Sequence, residues 1–140
     1  MSTPHESAQS LMQLYEIRRE ARLREARAWV VSSFNPRSVE DYLAIMKSDE
    51  YVNVRMVTSY WEMAASFVVH GAIDAEMFQA VSGEMLVVLA KVDFMLDEIR
   101  EATGQTGALR HVEKVASEWP GAAERMVGMR EYFWGMADAG

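Results

Sequence analysis

Residues 68–78 read VVHGAIDAEMF, and this stretch joins two segments of helical periodicity. Gly71 suits the left-handed position that closes a helix, and Asp74 suits the N-cap of the next helix. Ile73 comes directly before that cap and can pack on Phe78, as in the hydrophobic staple of a helix start. The stretch therefore predicts a tight turn between two helices.

The segment after this turn, 74–102, is predicted to be one long helix. Its apolar residues are spaced alternately by three and four, which is typical of a helix packed along a partner at a shallow angle. This seam consists of Phe78, Val81, Met85, Val88, Val92, Met95 and Ile99. The preceding helix, about 49–70, is apolar around most of its circumference, so we expect it to be central and covered by the first helix or by a second copy of the chain. The two long helices are predicted to form an antiparallel hairpin.

Prolines and glycines divide the rest of the chain into further helices. The chain has 3 prolines and 8 glycines in 140 residues, and they fall between segments of helical period. The remaining predicted helices are 6–33, 39–47, 108–118 and 122–134, followed by a frayed tail at 135–140. With about six helices, no strand signal and no long linker, the sequence predicts one all-α helical bundle over residues 1–140.

Composition excludes several classes of protein. The chain has 21 acidic residues, 14 basic residues, a net charge of −7 and no cysteine. Without cysteine it has no disulfide framework, thiolate metal site or cysteine nucleophile, which fits a reducing compartment. The acidic balance argues against a nucleic-acid binder, because phosphate contacts need clustered basic residues. No apolar run is long enough for a transmembrane segment, and the N-terminus lacks a secretion-signal pattern, so we expect a cytoplasmic protein.

Arginine is concentrated in the N-terminal helix that is predicted within 1–33. Residues 15–28 contain five arginines and three glutamates. Pairs such as Glu20 and Arg24, four residues apart, are typical of a solvated helix face. An arginine face also suits docking on an acidic partner. Weak adsorption to an anionic membrane surface is less favoured, because glutamates are interspersed and lysine is absent.

Catalytic and cofactor motifs are absent from the sequence. The glycines form no phosphate-binding loop, and neither a G-x-S-x-G elbow nor an H-E-x-x-H pair occurs. No glutamate lies three residues before any histidine, as a di-iron helical bundle would require. We therefore predict no catalytic residue, no metal ligand and no cofactor.

One polar stripe interrupts the apolar helix before the turn, with Arg55, Ser59, Glu62 and Ser66 spaced by four, three and four residues. It is either a solvated face, or Glu62 is partly buried and held by Arg55 or a backbone donor, or Glu62 is a functional carboxylate. His70 suits the C-terminal end of this helix, where a cation is favoured. The candidates for a ligand site or an interface have polar or aromatic side chains: Arg55, Glu62, His70, Trp61, Trp119 and Trp134.

Two motifs resemble a family of bacterial domains of unknown function. The first is Tyr60-Trp61-Glu62-Met63-Ala64 followed by the turn HGAIDAE at 70–76, and the second is HVEKVASEW at 111–119. The resemblance covers about Met56 to Trp119 and implies a helical fold without a known activity. Many relatives carry an N-terminal membrane helix. In this chain the arginine-rich helix occupies the corresponding N-terminal position.

Excess apolar surface predicts a homodimer, since one small chain has few elements to cover these faces. We expect a non-enzymatic helical interaction or regulatory module that acts as a homo-oligomer, with a protein partner. Eleven methionines suit an adaptable core or binding surface. The alternative is a small-molecule binding protein or enzyme whose pocket, lined by methionine and aromatic residues, uses Glu62 and the Arg55 side as its polar anchor.

Overall fold

Helices follow one another along residues 2–140, the part of the chain that the computed structural model describes. Met1, the first residue of the predicted N-terminal segment, lies outside it. The described part contains nine α-helices: α1 (Pro4–Arg18), α2 (Ala21–Ser33), α3 (Val39–Met46), α4 (Tyr51–Val69), α5 (Ala75–Val81), α6 (Gly83–Ala90), α7 (Leu96–Thr103), α8 (Arg110–Ser117) and α9 (Ala122–Ala139). A short 3-10 turn, Asp93–Met95, precedes α7. The all-α helical bundle is confirmed.

The predicted first helix is divided into α1 and α2. Glu20 stands between them as the N-cap of α2, and its carboxylate accepts hydrogen bonds from the backbone N–H groups of Arg22 and Leu23 at 3.0 and 2.8 Å. The prediction of one continuous helix was therefore wrong, because this carboxylate starts a new helix instead of pairing along an old one.

The predicted helix 74–102 is divided into α5, α6 and α7. Ser82 leaves helical geometry with φ −123° and ψ 34°, and the 3-10 turn makes a second break. Serine and Gly83 are poor residues for a helix interior, so the first break has a local cause. Val81, assigned to the apolar seam, is 55% exposed, whereas Phe78 and Met85 on either side are buried. A continuous second helix of the hairpin was therefore a wrong prediction.

The turn at 70–74 has its predicted geometry. Gly71 has φ 81°, and the Asp74 carboxylate accepts a hydrogen bond from the Met77 N–H at 2.9 Å. Ile73 and Phe78 are both buried. Each of these features follows from chemistry within a few residues of the turn.

The central helix is α4, which packs most extensively on α2 and α8. Packing on two sides agrees with the broad apolar surface of α4. The first predicted helix was expected to cover α4, and α2 is the second half of that helix. The last helix, α9, packs on α6 and continues to Ala139, so the tail predicted to fray after Trp134 is helical almost to its end. No helix within residues 2–140 combines the length and apolarity needed to cross a membrane.

Candidate functional site

Glu62 reaches from α4 to the first turn of α8. Its carboxylate accepts hydrogen bonds from the backbone N–H groups of His111, at 3.1 Å, and Val112, at 3.0 Å. His111 Nδ1 lies 2.6 Å from the same carboxylate. The Glu62 side chain is 26% exposed. The structure therefore shows a partly buried carboxylate held by backbone donors and not a fully solvated one, and Arg55 takes no part in this contact.

This long-range cap is needed because α8 has no cap of its own. The residue before it, Leu109, offers no side-chain acceptor and adopts a left-handed conformation with φ 56°. The first N–H groups of a helix have no partner within the helix, and they carry its positive end charge. A carboxylate supplied by α4 satisfies two of these groups and complements that charge.

His70 and His111 lie side by side near this contact. Their ring centroids are 5.7 Å apart. His70 is the C-cap of α4, and its Nδ1 lies 2.7 Å from the Ser66 carbonyl oxygen, as expected for a histidine at a helix end. His111 was not predicted as a site residue, and it lies 49 positions from Glu62 in sequence.

Glu62 also borders a cavity of about 280 Å³ between α4 and the loop before α8. Six cavity residues lie on one face of α4. The rest of the lining comes from α3, from the end of α2, from the α6–α7 region and from the α7–α8 loop. Its inner wall consists of buried apolar side chains: Phe34, Val54, Val92, Leu96, Ile99 and Leu109. The polar rim includes Arg55, Ser59 and Gln105.

Arg55 is the cation of this rim. Its guanidinium makes no ion pair or side-chain hydrogen bond with any group in residues 2–140, and Glu62, the other charged residue of the lining, is turned toward α8. Tyr42 and Tyr51 complete the polar surface. Burial, followed by the proximity of Tyr51, raises the pKa of Tyr42, so its hydroxyl stays protonated. The cavity thus combines an apolar wall with one unpaired positive charge.

Trp61 lies in a different environment. It is 1% exposed, and its Nε1–H donates to Glu84 at 3.3 Å. Glu84 also accepts two hydrogen bonds from Arg27, both at 2.9 Å, and Arg27 donates to the Arg18 carbonyl oxygen at the end of α1. This cluster joins α1, α2, α4 and α6, so it holds the helices in place.

Trp119 and Trp134 lie apart from the cavity. Trp119 is 7% exposed and follows α8, with the Arg125 guanidinium 5.8 Å from its ring centre. Trp134, on α9, packs edge-to-face on Phe94, with 5.5 Å between the ring centres. The Arg37 guanidinium carbon lies 4.9 Å from the Trp134 ring centre. The six predicted site residues therefore occupy several places, and only Arg55 and Glu62 share a cavity.

Lys91 was missed by the sequence analysis. It is 2% exposed, and its ammonium donates to the Val31 carbonyl oxygen at 2.7 Å and to Asn35 Oδ1 at 2.8 Å. The Phe133 ring centre lies 4.0 Å from Nζ. Burial lowers the pKa of Lys91 to about 8. This cation binds the C-terminal end of α2, where carbonyl groups lack helical partners.

A second concave surface, the α1–α5 groove, lies on the outside of the bundle. It measures about 630 Å³ and is lined mostly by apolar residues: Ala8, Leu11, Met12, Tyr15, Glu16, Arg18, Met77, Ala80 and Val81. Met12 is 71% exposed, and Tyr15 and Val81 are each 55% exposed. Large apolar side chains at such exposure, gathered in one groove, are typical of an interaction surface.

Metal-binding geometry is not found in the described part of the chain, which holds no group of three or more histidine, aspartate or glutamate side chains placed to bind an ion. Glu62, Lys91 and Arg27 each make a hydrogen bond to a backbone group at a helix end.

Comparison with curated proteins and with solved structures gives no match. Comparison with protein families gives one over residues 4–119, described as a domain of unknown function, DUF4760. The matched segment includes α1 to α8, the cavity and the groove, and it ends before α9. Since this match covers most of the 140 residues, the chain belongs to the DUF4760 family of domains of unknown function.

Proposed function

We propose that this chain is a non-catalytic helical interaction module that forms a homodimer through the α1–α5 groove. The observation that carries this proposal is the exposure of the groove's large apolar residues, above all Met12 at 71%. Covering such side chains with a second apolar surface is favourable by roughly 25 cal/mol per Å² of area removed from water. We place the module in the cytoplasm, which the absence of cysteine supports.

Charge along the groove favours a second copy as the occupant. Helices α1 and α5 run in the same direction. At their N-terminal ends, the Ser7 hydroxyl accepts a hydrogen bond from the Asp74 N–H. Arg18 and Val81, at the C-terminal ends of the two helices, both line the other end of the groove. Three carboxylates lie near the N-terminal end: Glu76, together with Glu6 and Asp74, which also accept backbone N–H groups at the starts of α1 and α5. The other end carries Arg18, Arg19 and Glu16, with a net charge of +1.

A two-fold axis across the groove would bring opposite charges together. In such an isologous contact each copy presents the same surface, and the acidic end of one groove faces the basic end of the other. Arg19 is paired with Glu16 at 3.7 Å in the single chain, but both side chains are exposed and free to exchange partners. The groove is therefore complementary to itself in an antiparallel arrangement.

Sedimentation equilibrium over a range of concentrations tests this proposal with two matched variants. Met12→Glu places a charge in the groove, and Val127→Glu makes the same kind of change on α9, where Val127 is 45% exposed. We expect Met12→Glu to weaken dimerisation at least about tenfold. Val127→Glu should leave it unchanged, and equal effects of the two would contradict the proposed interface.

A charge exchange tests the antiparallel arrangement. Arg19→Glu and Glu76→Arg each create like charges across the proposed axis, so each should weaken the dimer. The double variant restores opposite charges and should recover much of the loss. Additive losses in the double variant would exclude this arrangement.

A further inference from the structure

The cavity beside Arg55 is separate from the α1–α5 groove and has the properties of a ligand site. Its volume of about 280 Å³ lies just below the range of about 300–1,000 Å³ that is usual for small-molecule pockets, so a ligand would be small. The wall nearest the core is apolar, including Phe34 and Ile99, both nearly fully buried. Such a wall favours a ligand with an apolar body.

The charge of the cavity rim determines which charge the polar group of that ligand carries. Two charged residues line the cavity, Arg55 and Glu62. The Glu62 carboxylate is occupied by the N–H groups of His111 and Val112 and by the His111 ring. The positive N-terminal end of α8 thereby compensates the negative charge of Glu62, and this carboxylate is not available to bind a ligand cation. Arg55 lies seven residues earlier on α4 without an intramolecular partner in residues 2–140.

A guanidinium next to an apolar wall matches an amphipathic anion. Its planar array of N–H donors fits a carboxylate with two parallel hydrogen bonds. The Ser59 hydroxyl donates to the Met56 carbonyl oxygen at 3.2 Å, and the Thr58 hydroxyl donates to the Val54 carbonyl oxygen at 2.7 Å. With their hydrogens used, these hydroxyl oxygens act as acceptors toward a ligand. Arg55 is the one cation among the described residues that line the cavity, and it is therefore the charged anchor for an anion.

We propose that this cavity binds a small organic carboxylate with an apolar body, whose carboxylate pairs with Arg55 and whose body lies against Phe34 and Ile99. The loop that closes the cavity is held in a defined shape. Arg100 donates two hydrogen bonds to the Ala108 carbonyl oxygen, at 3.1 and 2.8 Å, and Leu109 is fixed in its left-handed conformation. Strain of this kind is a feature of binding sites, where the surrounding contacts hold it. The site is therefore largely formed in the absence of ligand.

A pair of probes that differ in charge tests the proposal. The probes are 3-phenylpropionate and 3-phenylpropan-1-ol, which share one apolar body, and binding is followed by the amide signals of isotope-labelled full-length protein in NMR. We expect the carboxylate to bind in the millimolar range and to shift the amides of Gly107 and Leu109. The absence of saturable shifts at these amides, or saturable shifts confined to other regions, would overturn the proposal.

Substitutions at Arg55 separate charge recognition from apolar binding. Arg55→Gln should weaken 3-phenylpropionate binding at least about tenfold and leave the alcohol unchanged. Arg55→Lys should retain part of the carboxylate preference. The matched control is Arg24→Gln, which removes an exposed arginine on α2 that does not line the cavity. It should leave the affinity for both probes unchanged. Equal losses for the two probes, or no loss in Arg55→Gln, would contradict the assignment.

The same measurement in Met12→Glu distinguishes this proposal from the homodimer. The cavity shares no residue with the groove, so the monomeric variant should keep its affinity for 3-phenylpropionate. Loss of probe binding on dimer dissociation would show that the site needs the second copy and would contradict a cavity formed within one chain.

Discussion

Glu62 and His111 lie 49 positions apart in the chain, yet the carboxylate of one caps the helix that contains the other. The contact fixes α8 against α4 at the helix end where the backbone N–H groups need an acceptor. Glu62 also lines the cavity whose rim includes Arg55. Contacts with backbone groups at a helix end hold both Glu62 and Lys91.

Removal of the Glu62 carboxylate should lower stability. Glu62→Ala leaves two N–H groups of α8 without their acceptor, and we expect a loss of about 1–2 kcal/mol in the free energy of unfolding, measured by urea denaturation. Glu62→Gln keeps an acceptor oxygen and should cost less. Glu101→Ala removes an exposed carboxylate and is the control. If Glu62→Ala is no less stable than this control, the capping role is wrong.

Lys91 should make stability rise with pH. Burial lowers its pKa from 10.5 to about 8 in the folded chain. Between these values the unfolded chain binds more protons than the folded chain, so stability increases as pH rises through the folded pKa. Above pH 10 the trend reverses, because burial raises the pKa of Tyr60 from 10.0 to about 12 and the folded chain then retains more protons.

The measurement is the free energy of unfolding of the wild type and Lys91→Met at about pH 7.5 and about pH 9.5. We expect the wild type to gain roughly 1 kcal/mol over this range. Lys91→Met should show little change. The comparison uses the slope with pH and not the absolute stability, since the variant also loses the hydrogen bonds to Val31 and Asn35. Parallel slopes would contradict the lowered pKa.

Arg27 and Glu84 should be energetically coupled. Their side chains are 25% and 22% exposed and form two hydrogen bonds, and this hydrogen bonding to Glu84 is the main cause that raises the pKa of Arg27. Removing one partner leaves the other charge partly buried and unpaired. In a cycle of Arg27→Met, Glu84→Gln and the double variant, we expect a coupling of about 1–3 kcal/mol. Additive losses would show that the pair does not hold α2 to α6.

Val88→Asp tests the buried face of α6. Val88 is 1% exposed, so the substitution places a carboxylate without a partner in the core. We expect a loss of more than about 4 kcal/mol, seen as unfolding or aggregation in thermal scans. Val127→Asp on α9, where the valine is 45% exposed, should have little effect. Normal stability of Val88→Asp would mean that this face is not packed as described.

Local chemistry made part of the fold predictable. The turn between α4 and α5 depends on Gly71, Asp74 and a nearby apolar pair, so each of its contacts lies within the predicted stretch. The helix boundaries were harder to predict from the sequence. Heptad spacing continues across Ser82 and the 3-10 turn, so the pattern alone gave one long helix where the backbone turns twice. The second break follows Lys91, which reaches α2 from the end of α6.

Long-range contacts limited the prediction of the site. The sequence indicated Arg55 and Glu62 as a polar stripe, and the structure shows both at one cavity. It gave no sign that His111 would meet Glu62. The one available signal was the absence of a capping residue before Arg110, where Leu109 stands. Such an absence requires a distant acceptor but does not identify it, because pairing across 49 residues depends on how α4 and α8 pack.

Native mass spectrometry of the full chain, purified without denaturation, tests the homodimer most directly. We expect a dimer at twice the chain mass of 15.9 kDa for the wild type. We expect a monomer for Met12→Glu under the same conditions, and a dimer for Val127→Glu. A wild-type protein that remains monomeric at every concentration, or a Met12→Glu variant that dimerises as well as the wild type, would contradict the proposed interface.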